Sequence, residues 1–423
     1  MVDCNGTFMS TLRPNSSGSQ FEPLLVKGND DISLSVALPS RLRAYSVPNP
    51  SPISGWRIVV KDNTHIKGIK SSVGNRAFYD TYGPQQETAT CIQRLVEQGA
   101  VVLGKPKMTS FGNWEEPVEY VDYQAPWNAR ADGYQSPGGS SSGSASAISA
   151  YDRVDIALGT DSKDLDLFHN HAGEKADIFK LGEVSPAERF SVDALDSALV
   201  WVQSLKQELN LITLRLEPWD ISVEDAWRDQ PPDEAGGLPL ADFINPATAS
   251  LACDVYHNSS DFREQHRKKF KREPFTTFPN RRLWEVGKTI SEEERDSGFK
   301  DIEAYARWFN EIILKESRAN ALMILPLESM CPRYRDEAPS FERPPQQGIN
   351  TLALAPVLKA PALAVPIAEI SYKSRISQIT ERLPFAVCIV SPPGTDLVLL
   401  DCVRDVLIAS GRPTVVKTGQ SMI

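Results

Sequence analysis

The chain has 423 residues, of which 41% are hydrophobic, and 45 Lys and Arg against 55 Asp and Glu give a formal net charge of −10. This acidic balance disfavours nucleic-acid binding, which needs a basic surface. No apolar stretch approaches the roughly 20 residues of a membrane-spanning helix, so we expect no membrane span. The six cysteines form no Cys-x-x-Cys pair, and we expect reduced, buried thiols in a cytoplasmic protein.

The first part of the chain alternates between strand and helix patterns. We predict a loosely ordered polar leader over residues 1–30. Three strands follow, over 56–60, 100–103 and 154–159, and two helices lie between them, over 87–98 and 143–151. Alternation of this kind is typical of α/β architecture. We therefore predict an α/β fold.

The remaining part of the chain continues the alternation. Apolar residues at helical spacing predict a helix over 192–205, and Ser291-Glu292-Glu293-Glu294 resembles a capping box that begins a helix running to about residue 315. Two apolar runs, 362–366 and 385–390, predict buried strands, and residues 397–408 predict a closing helix.

A glycine and serine loop runs directly into a helix of small residues. The run Ser-Pro-Gly-Gly-Ser-Ser-Ser-Gly-Ser-Ala-Ser-Ala spans residues 136–147. Gly138 and Gly139 allow backbone conformations that other residues resist, and Ser140 and Ser141 bring hydroxyls to a helix N-terminus, where N–H groups lack partners. Such a loop suits an anion or an oxyanion, and the close apolar flanks disfavour a disordered linker.

A second motif ends in a lysine. Residues 55–63 read Gly-Trp-Arg-Ile-Val-Val-Lys-Asp-Asn, an apolar strand that delivers Lys61 at its carboxyl end. Together with the serine loop, this strand resembles the amidase-signature family. Three further segments resemble its motifs in the same order: Gly68-x-x-Ser71-Ser72-x-Gly74, Gly104-Lys105-Pro106-Lys107-Met108 and Pro126-Trp127-Asn128. The resemblance covers about residues 50–161 and, more loosely, 320 to the end.

The resemblance implies a fold and a catalytic arrangement. It implies a mixed central sheet flanked by helices, within one amidase-like domain over residues 31–423, and an amide hydrolase without metal or cofactor. Family members use a serine nucleophile, a second serine held by a cis peptide bond as proton relay, and a neutral lysine as base. Burial would favour a neutral lysine. On this resemblance Lys61 is the base and Ser140 the relay, and the substrate and oxyanion region comprises Gly138, Gly139, Ser141, Asp161 and Ser162.

The family pattern breaks where its nucleophile should stand. The family's strand ends in G-T-D-x-G-G-S-x-R, and Gly159-Thr160-Asp161-Ser162 begins it correctly. Lys163 and Asp164 then replace the two glycines, and Leu165 replaces the nucleophile. Loss of one oxyanion donor alone costs about 10²–10³ in rate. We therefore expect slow amide hydrolysis, resistance to fluorophosphonates, and a core that is incomplete after residue 161 and disrupted over 162–180.

Two other serines offer alternatives to the missing nucleophile. Ser162 lies three positions early, roughly 10 Å along an extended chain, so it reaches the relay only if this segment folds differently. Ser140 could attack directly with Lys61 as its base, since a Ser-Lys pair is a known catalytic unit. The altered oxyanion hole would still limit that reaction.

Several explanations of the chain stay open at this stage. It is an impaired amidase acting on a small-molecule carboxamide, a non-catalytic amidase-like binding or assembly protein, or a truncated gene model or splice form of an active amidase. Resemblance to the glutaminyl-tRNA amidotransferase A subunit is a weaker alternative, and a homodimer is compatible with each. His169 and His171 could offer metal ligands, although an exposed loop fits them better. Lys105 and Lys107 could orient the substrate, although surface lysines at a strand end fit them better.

Overall fold

The structure contains two β-sheets and helices around them. It is a computed structural model that describes residues 1–15, 20–30, 32–42, 50–160, 223–314, 322–326, 332–338, 349 and 353–422. The strands of the first sheet are β1 (Phe8–Pro14), β2 (Phe21–Pro23), β3 (Arg57–Val60), β4 (Val101–Pro106) and β5 (Ile156–Leu158). Those of the second are β6 (Met323–Pro326), β7 (Ala362–Lys373) and β8 (Thr380–Val390).

The first sheet is mixed and has the order β2-β1-β4-β3-β5. Strand β3 runs parallel to β4 and to β5, whereas β1 runs antiparallel to β4 and to β2. The second sheet, β6-β8-β7, is antiparallel. The predicted α/β fold with a mixed central sheet is confirmed.

The helices divide between the two parts of the chain. The first part contains α1 (Arg76–Thr81), α2 (Thr90–Glu97) and α3 (Ser142–Ala150). The second part contains the helices Val223–Asp229, Leu240–Ser250, Ala252–Asn258, Ser260–Phe270, Phe278–Gly287, Glu292–Trp308, Leu354–Leu358 and Asp396–Ala409.

Both faces of the first sheet are covered, as is usual for parallel strands. Ile58 and Val60 pack on one side with Ile92 of α2, whereas Val59 packs on the other side with Ala147 of α3. This alternation follows from the two-residue period of a strand. All four residues of β3 are buried, and the last three, Ile58, Val59 and Val60, are apolar.

The sequence located most of these elements. Strand β3, helix α2, strand β4, helix α3 and strand β5 all occur within a few residues of their predicted bounds. The capping box is confirmed, because Glu294 N donates to Ser291 Oγ at 3.2 Å and Ser291 N donates to Glu294 Oε2 at 2.8 Å. The predicted helix over 192–205 and the predicted disruption over 162–180 lie outside the described residues.

The N-terminal segment differs from the expected loosely ordered leader. Phe8–Pro14 forms β1 inside the sheet, and Phe8 and Leu12 are buried on its opposite faces. Asp3 is 2% exposed and accepts hydrogen bonds from Thr7 N at 2.9 Å and from the hydroxyl of Tyr151 at 2.7 Å. A low average hydrophobicity over 30 residues conceals the few apolar side chains that anchor this strand.

The five described cysteines are free thiols but are not all buried. Cys253 and Cys388 are buried, whereas Cys4 and Cys91 are exposed. Cys91 lies beside the buried Ile92 on α2, and its side chain points to the solvent side of that helix. The expectation of buried thiols is therefore wrong for Cys4 and Cys91.

Helix α3 approaches the backbone after β4 very closely at Gly143. Gly143 N donates to Lys107 O at 3.0 Å. A Cβ atom at Gly143 would lie 2.5 Å from both Lys107 N and Lys107 O, a distance at which one of the backbones must shift. Glycine at this position therefore allows α3 to pack against the sheet.

We predict that Gly143→Ala lowers the free energy of unfolding by about 1–3 kcal/mol, because the added methyl group overpacks a backbone contact. Urea unfolding followed by circular dichroism measures the change. Gly83→Ala is the matched control, since a Cβ atom there meets nothing within 4 Å. Equal stability of the Gly143 variant and the wild type would show that α3 can move away from Lys107 without cost.

Candidate active site

Lys61 and Ser140 lie together at the carboxyl edge of the first sheet. Lys61 Nζ donates to Ser140 Oγ at 2.7 Å and to Thr160 O at 2.9 Å. Lys61 is 1% exposed, whereas Ser140 is half-buried. The Gly139–Ser140 peptide bond is cis. The structure therefore brings the predicted base and the predicted relay serine into direct contact.

Parallel strand pairing explains this contact. Val60 of β3 pairs with Leu158 of β5, and the next residue, Lys61, donates its N–H to Leu158 O at 3.1 Å. Because both strands end at the same edge, Lys61 and Thr160 emerge side by side. The serine loop is attached to a third segment, since Thr109 N donates to Ser140 O at 3.2 Å.

Ser141 and Thr160 hold the loop against the end of β5. Ser141 Oγ donates to Thr160 O, and Thr160 N donates to Ser141 Oγ, each at 3.3 Å. Asn63 Nδ2 also donates to Thr160 Oγ1 at 2.8 Å. Gly159 allows this approach, because a Cβ atom there would lie 2.8 Å from Ser141 Oγ.

The other predicted site residues divide into two groups. Gly138 and Gly139 form the exposed part of the serine loop, and Gly138 has a φ of 72°, which favours glycine. Asp161 and Ser162 lie outside the described residues, as does Leu165 at the expected position of the nucleophile. The catalytic and oxyanion roles of all these residues stay predictions.

Lys105 is buried, which corrects the expectation of a surface lysine. Its Nζ lies 3.2 Å from Asp62 Oδ1, and both side chains are at most 1% exposed. Lys105 Nζ also donates to Ser71 Oγ, and Asp62 Oδ2 accepts from Ser72 N at 2.7 Å. Burial lowers the pKa of the Lys105 ammonium, and the Asp62 carboxylate opposes this shift.

This ion pair fixes the backbone beside Lys61. Asp62 is the next residue along the chain, and its N–H donates to Pro106 O at 3.2 Å. The pair therefore joins the end of β3, the loop at residues 70–72 and the end of β4. Lys107 is less buried than Lys105, and its Nζ donates to Gln124 O at 3.1 Å.

A second buried polar network lies beside the serine loop. Glu115 is 2% exposed, and its carboxylate accepts from Ser110 N at 2.9 Å and from Asn280 Nδ2 at 3.2 Å. Tyr120 contacts the start of α3, with its hydroxyl 2.8 Å from Ser142 Oγ. The sequence motifs gave no sign of Glu115 or Tyr120, since their partners lie up to 165 positions away along the chain.

The described residues contain no group of three or more His, Cys, Asp or Glu that could hold a metal ion. His169 and His171 lie outside this part of the chain. None of the described helices is long and apolar enough to cross a membrane.

Comparison with known proteins finds a family match for part of the chain. Residues 40–163 match the amidase family model. Over 114 residues the chain is 38% identical to the A subunit of a glutamyl-tRNA(Gln) amidotransferase from Lachnoclostridium phytofermentans, a match that covers 26% of this chain and 22% of that relative. The matched segment thus spans about a fifth of the length of such relatives.

Solved structures extend the similarity of fold over most of the chain. A 6-aminohexanoate cyclic dimer hydrolase has a TM-score of 0.62 at 14% identity, covering 88% of this chain and 89% of that one. A single-residue variant of the allophanate hydrolase of Kluyveromyces lactis has a TM-score of 0.64 at 14% identity, covering 96% and 67%. Residues 40–163 therefore match the amidase family in sequence, and most of the chain has the fold of these solved structures.

We predict that Lys105→Met lowers the free energy of unfolding by about 3–5 kcal/mol, because it leaves the buried Asp62 carboxylate without its cation. Chemical denaturation measures this loss. The double variant Asp62→Asn with Lys105→Met should recover part of it, since neither charge then remains. If the loss of stability in the double variant equalled the sum of the losses in Asp62→Asn and Lys105→Met, the two side chains would not be energetically coupled.

Proposed function

We propose that this protein is an amidase-type hydrolase that cleaves the C–N bond of a small-molecule carboxamide, at a rate below that of family members with an intact nucleophile motif. The observation that carries the proposal is the 2.7 Å contact between Lys61 Nζ and Ser140 Oγ. A buried amine beside a serine hydroxyl can accept the hydroxyl proton, which is the task of a general base. Neither residue needs a metal or a cofactor for this task.

The reduced rate follows from the sequence after Thr160. Lys163 and Asp164 stand where the family has the glycines of its oxyanion hole, and Leu165 stands where it has the serine. An alkyl side chain cannot form the acyl-enzyme bond. Lys61 and Ser140 are then the remaining two members of a three-residue unit.

Two alternatives explain the same features. The first is a non-catalytic binding or assembly protein that keeps part of the amidase pocket; the similarity to amidotransferase A subunits allows a partner chain in that case. The second is a truncated gene model or splice form of an active amidase. Sequencing transcripts across codons 155–185 tests the second alternative. A transcript that encodes a Gly-Gly-Ser segment there would show that this sequence is a truncated gene model or a splice form.

The setting that fits this proposal is the cytoplasm. Five described cysteines, including the exposed Cys4 and Cys91, are free thiols, as is usual in a reducing compartment. A homodimer is the assembly that we propose to test first. Its size can be measured by sedimentation of the purified chain.

We predict that the chain hydrolyses simple aryl amides at least about 10³-fold more slowly than a family member with its serine in place, because both the nucleophile and the oxyanion donors are replaced. Product release measured by absorbance gives both rates. The remaining activity should disappear in Lys61→Ala. Residual activity that is equal in wild type and Lys61→Ala would support the non-catalytic alternative, and an ordinary enzymatic rate would contradict the impairment.

A further inference from the structure

Within the serine loop and the start of α3, the Ser140 hydroxyl contacts the amine of Lys61. Its neighbours are bonded elsewhere: Ser141 to Thr160, Ser142 to Tyr120, Ser144 to Leu158 O and Ser146 to Thr7 and Trp127 O. Those bonds attach α3 and its loop to the neighbouring segments. Within this series, the contact between Ser140 Oγ and Lys61 Nζ is the one that joins a hydroxyl to a group that can become a base.

The two groups differ in their access to solvent. Ser140 is half-buried and follows the exposed Gly138 and Gly139, whereas Lys61 is 1% exposed. A reagent that enters from the loop therefore meets the Ser140 hydroxyl before it meets the amine. This arrangement favours reaction at the serine oxygen over acylation of the lysine.

The contacts of Lys61 suit a base that receives the proton of Ser140. A neutral amine has two N–H groups and one lone pair, and Thr160 O takes one N–H at 2.9 Å. The adjacent carboxylate of Asp62 is ion-paired with Lys105 at 3.2 Å. The ammonium form of Lys61 donates to Ser140 Oγ across the 2.7 Å contact, and its neutral form could accept the hydroxyl proton across the same contact.

From these contacts we infer that Ser140 is itself an acylation site, with Lys61 as its base, and that it reacts with activated acyl donors such as aryl esters. The inference deepens the proposed amidase-type site and rests on it. It replaces the expectation, based on Leu165 alone, that the chain resists fluorophosphonates. The reacting serine is then the predicted relay residue.

The proposed acylation begins with the Ser140 hydroxyl and the carbonyl carbon of the ester. Ser140 Oγ forms a bond to the carbonyl carbon of the ester, and its proton moves to Lys61 Nζ. The bond between that carbon and the aryl oxygen breaks, and the aryloxide leaves with its electron pair. Lys61 returns its proton to solvent, and a water molecule then hydrolyses the acyl-serine with Lys61 again as base.

The altered motif restricts the substrate class to good leaving groups. Lys163 and Asp164 replace the glycines that would stabilise the oxyanion, and an amide further requires protonation of its leaving amine. An aryloxide leaves without a proton. Activated esters and fluorophosphonates should therefore react at Ser140, while ordinary amides react slowly.

The test uses the full chain with p-nitrophenyl acetate and with an alkyl fluorophosphonate. Trypsin separates the candidate serines, because Ser140 lies in the peptide 131–153 and Ser162 in the peptide 154–163. Tandem mass spectrometry then assigns the modified residue. The variants are Ser140→Ala and Lys61→Met, and Ser149→Ala is the matched control, because Ser149 Oγ bonds to Ser146 O within α3.

We expect one adduct, on Ser140, in the wild type and in Ser149→Ala. Ser140→Ala should abolish it, and Lys61→Met should slow acylation about 100-fold or more, as is typical for loss of a general base. Circular dichroism and melting temperature establish that each variant is folded. Assignment of the adduct in the wild-type chain does not depend on any variant.

An adduct on Ser162 or another residue, or no adduct with either reagent, would overturn the inference. Equal labelling of wild type and Lys61→Met would overturn the role of Lys61. The proposed amidase function fails separately, through the amide assay: rapid amide turnover, or turnover independent of Lys61, contradicts that proposal wherever the ester adduct is found.

Discussion

The parallel pairing of β3 with β5 is the constraint on which the candidate site depends. It places the residues after both strands at one edge of the sheet, so that Lys61 contacts the carbonyl of Thr160 at 2.9 Å. The serine loop joins the same edge through bonds between Ser141 and Thr160. Without this pairing, residues that lie 99 positions apart along the chain would have no reason to meet.

Two buried lysines illustrate how partners decide the chemistry of one residue type. Lys105 faces the carboxylate of Asp62 and forms an ion pair that joins three segments of backbone. Lys61 contacts the Ser140 hydroxyl at 2.7 Å and the Thr160 carbonyl at 2.9 Å. The Asp62 carboxylate favours the ammonium form of Lys105, which burial opposes. The structural lysine thus supports the residue next to the proposed base.

The proposed chemistry depends on what remains when a three-residue unit loses its nucleophile. A relay serine already exchanges protons with the lysine in the mechanism that the family resemblance implies. We propose that the Ser140 hydroxyl reacts here, where Lys163 and Asp164 replace in sequence the glycines that would stabilise the oxyanion. Without the nucleophile and the oxyanion glycines of the family, the proposed site is restricted to substrates with good leaving groups, such as aryl esters.

The local pattern of the sequence determined β3, α2, β4, α3 and the capping box at Ser291, because hydrophobic period and end signals are properties of neighbouring residues. The motifs also indicated Lys61 and Ser140 as partners. The tertiary structure alone decided that Lys105 is buried against Asp62, that β1 belongs to the sheet, and that the carbonyl of Thr160 binds Lys61. These contacts join segments that are distant along the chain, so local sequence patterns do not predict them. In addition, every residue has a backbone carbonyl, so no residue type indicates that Thr160 contacts Lys61.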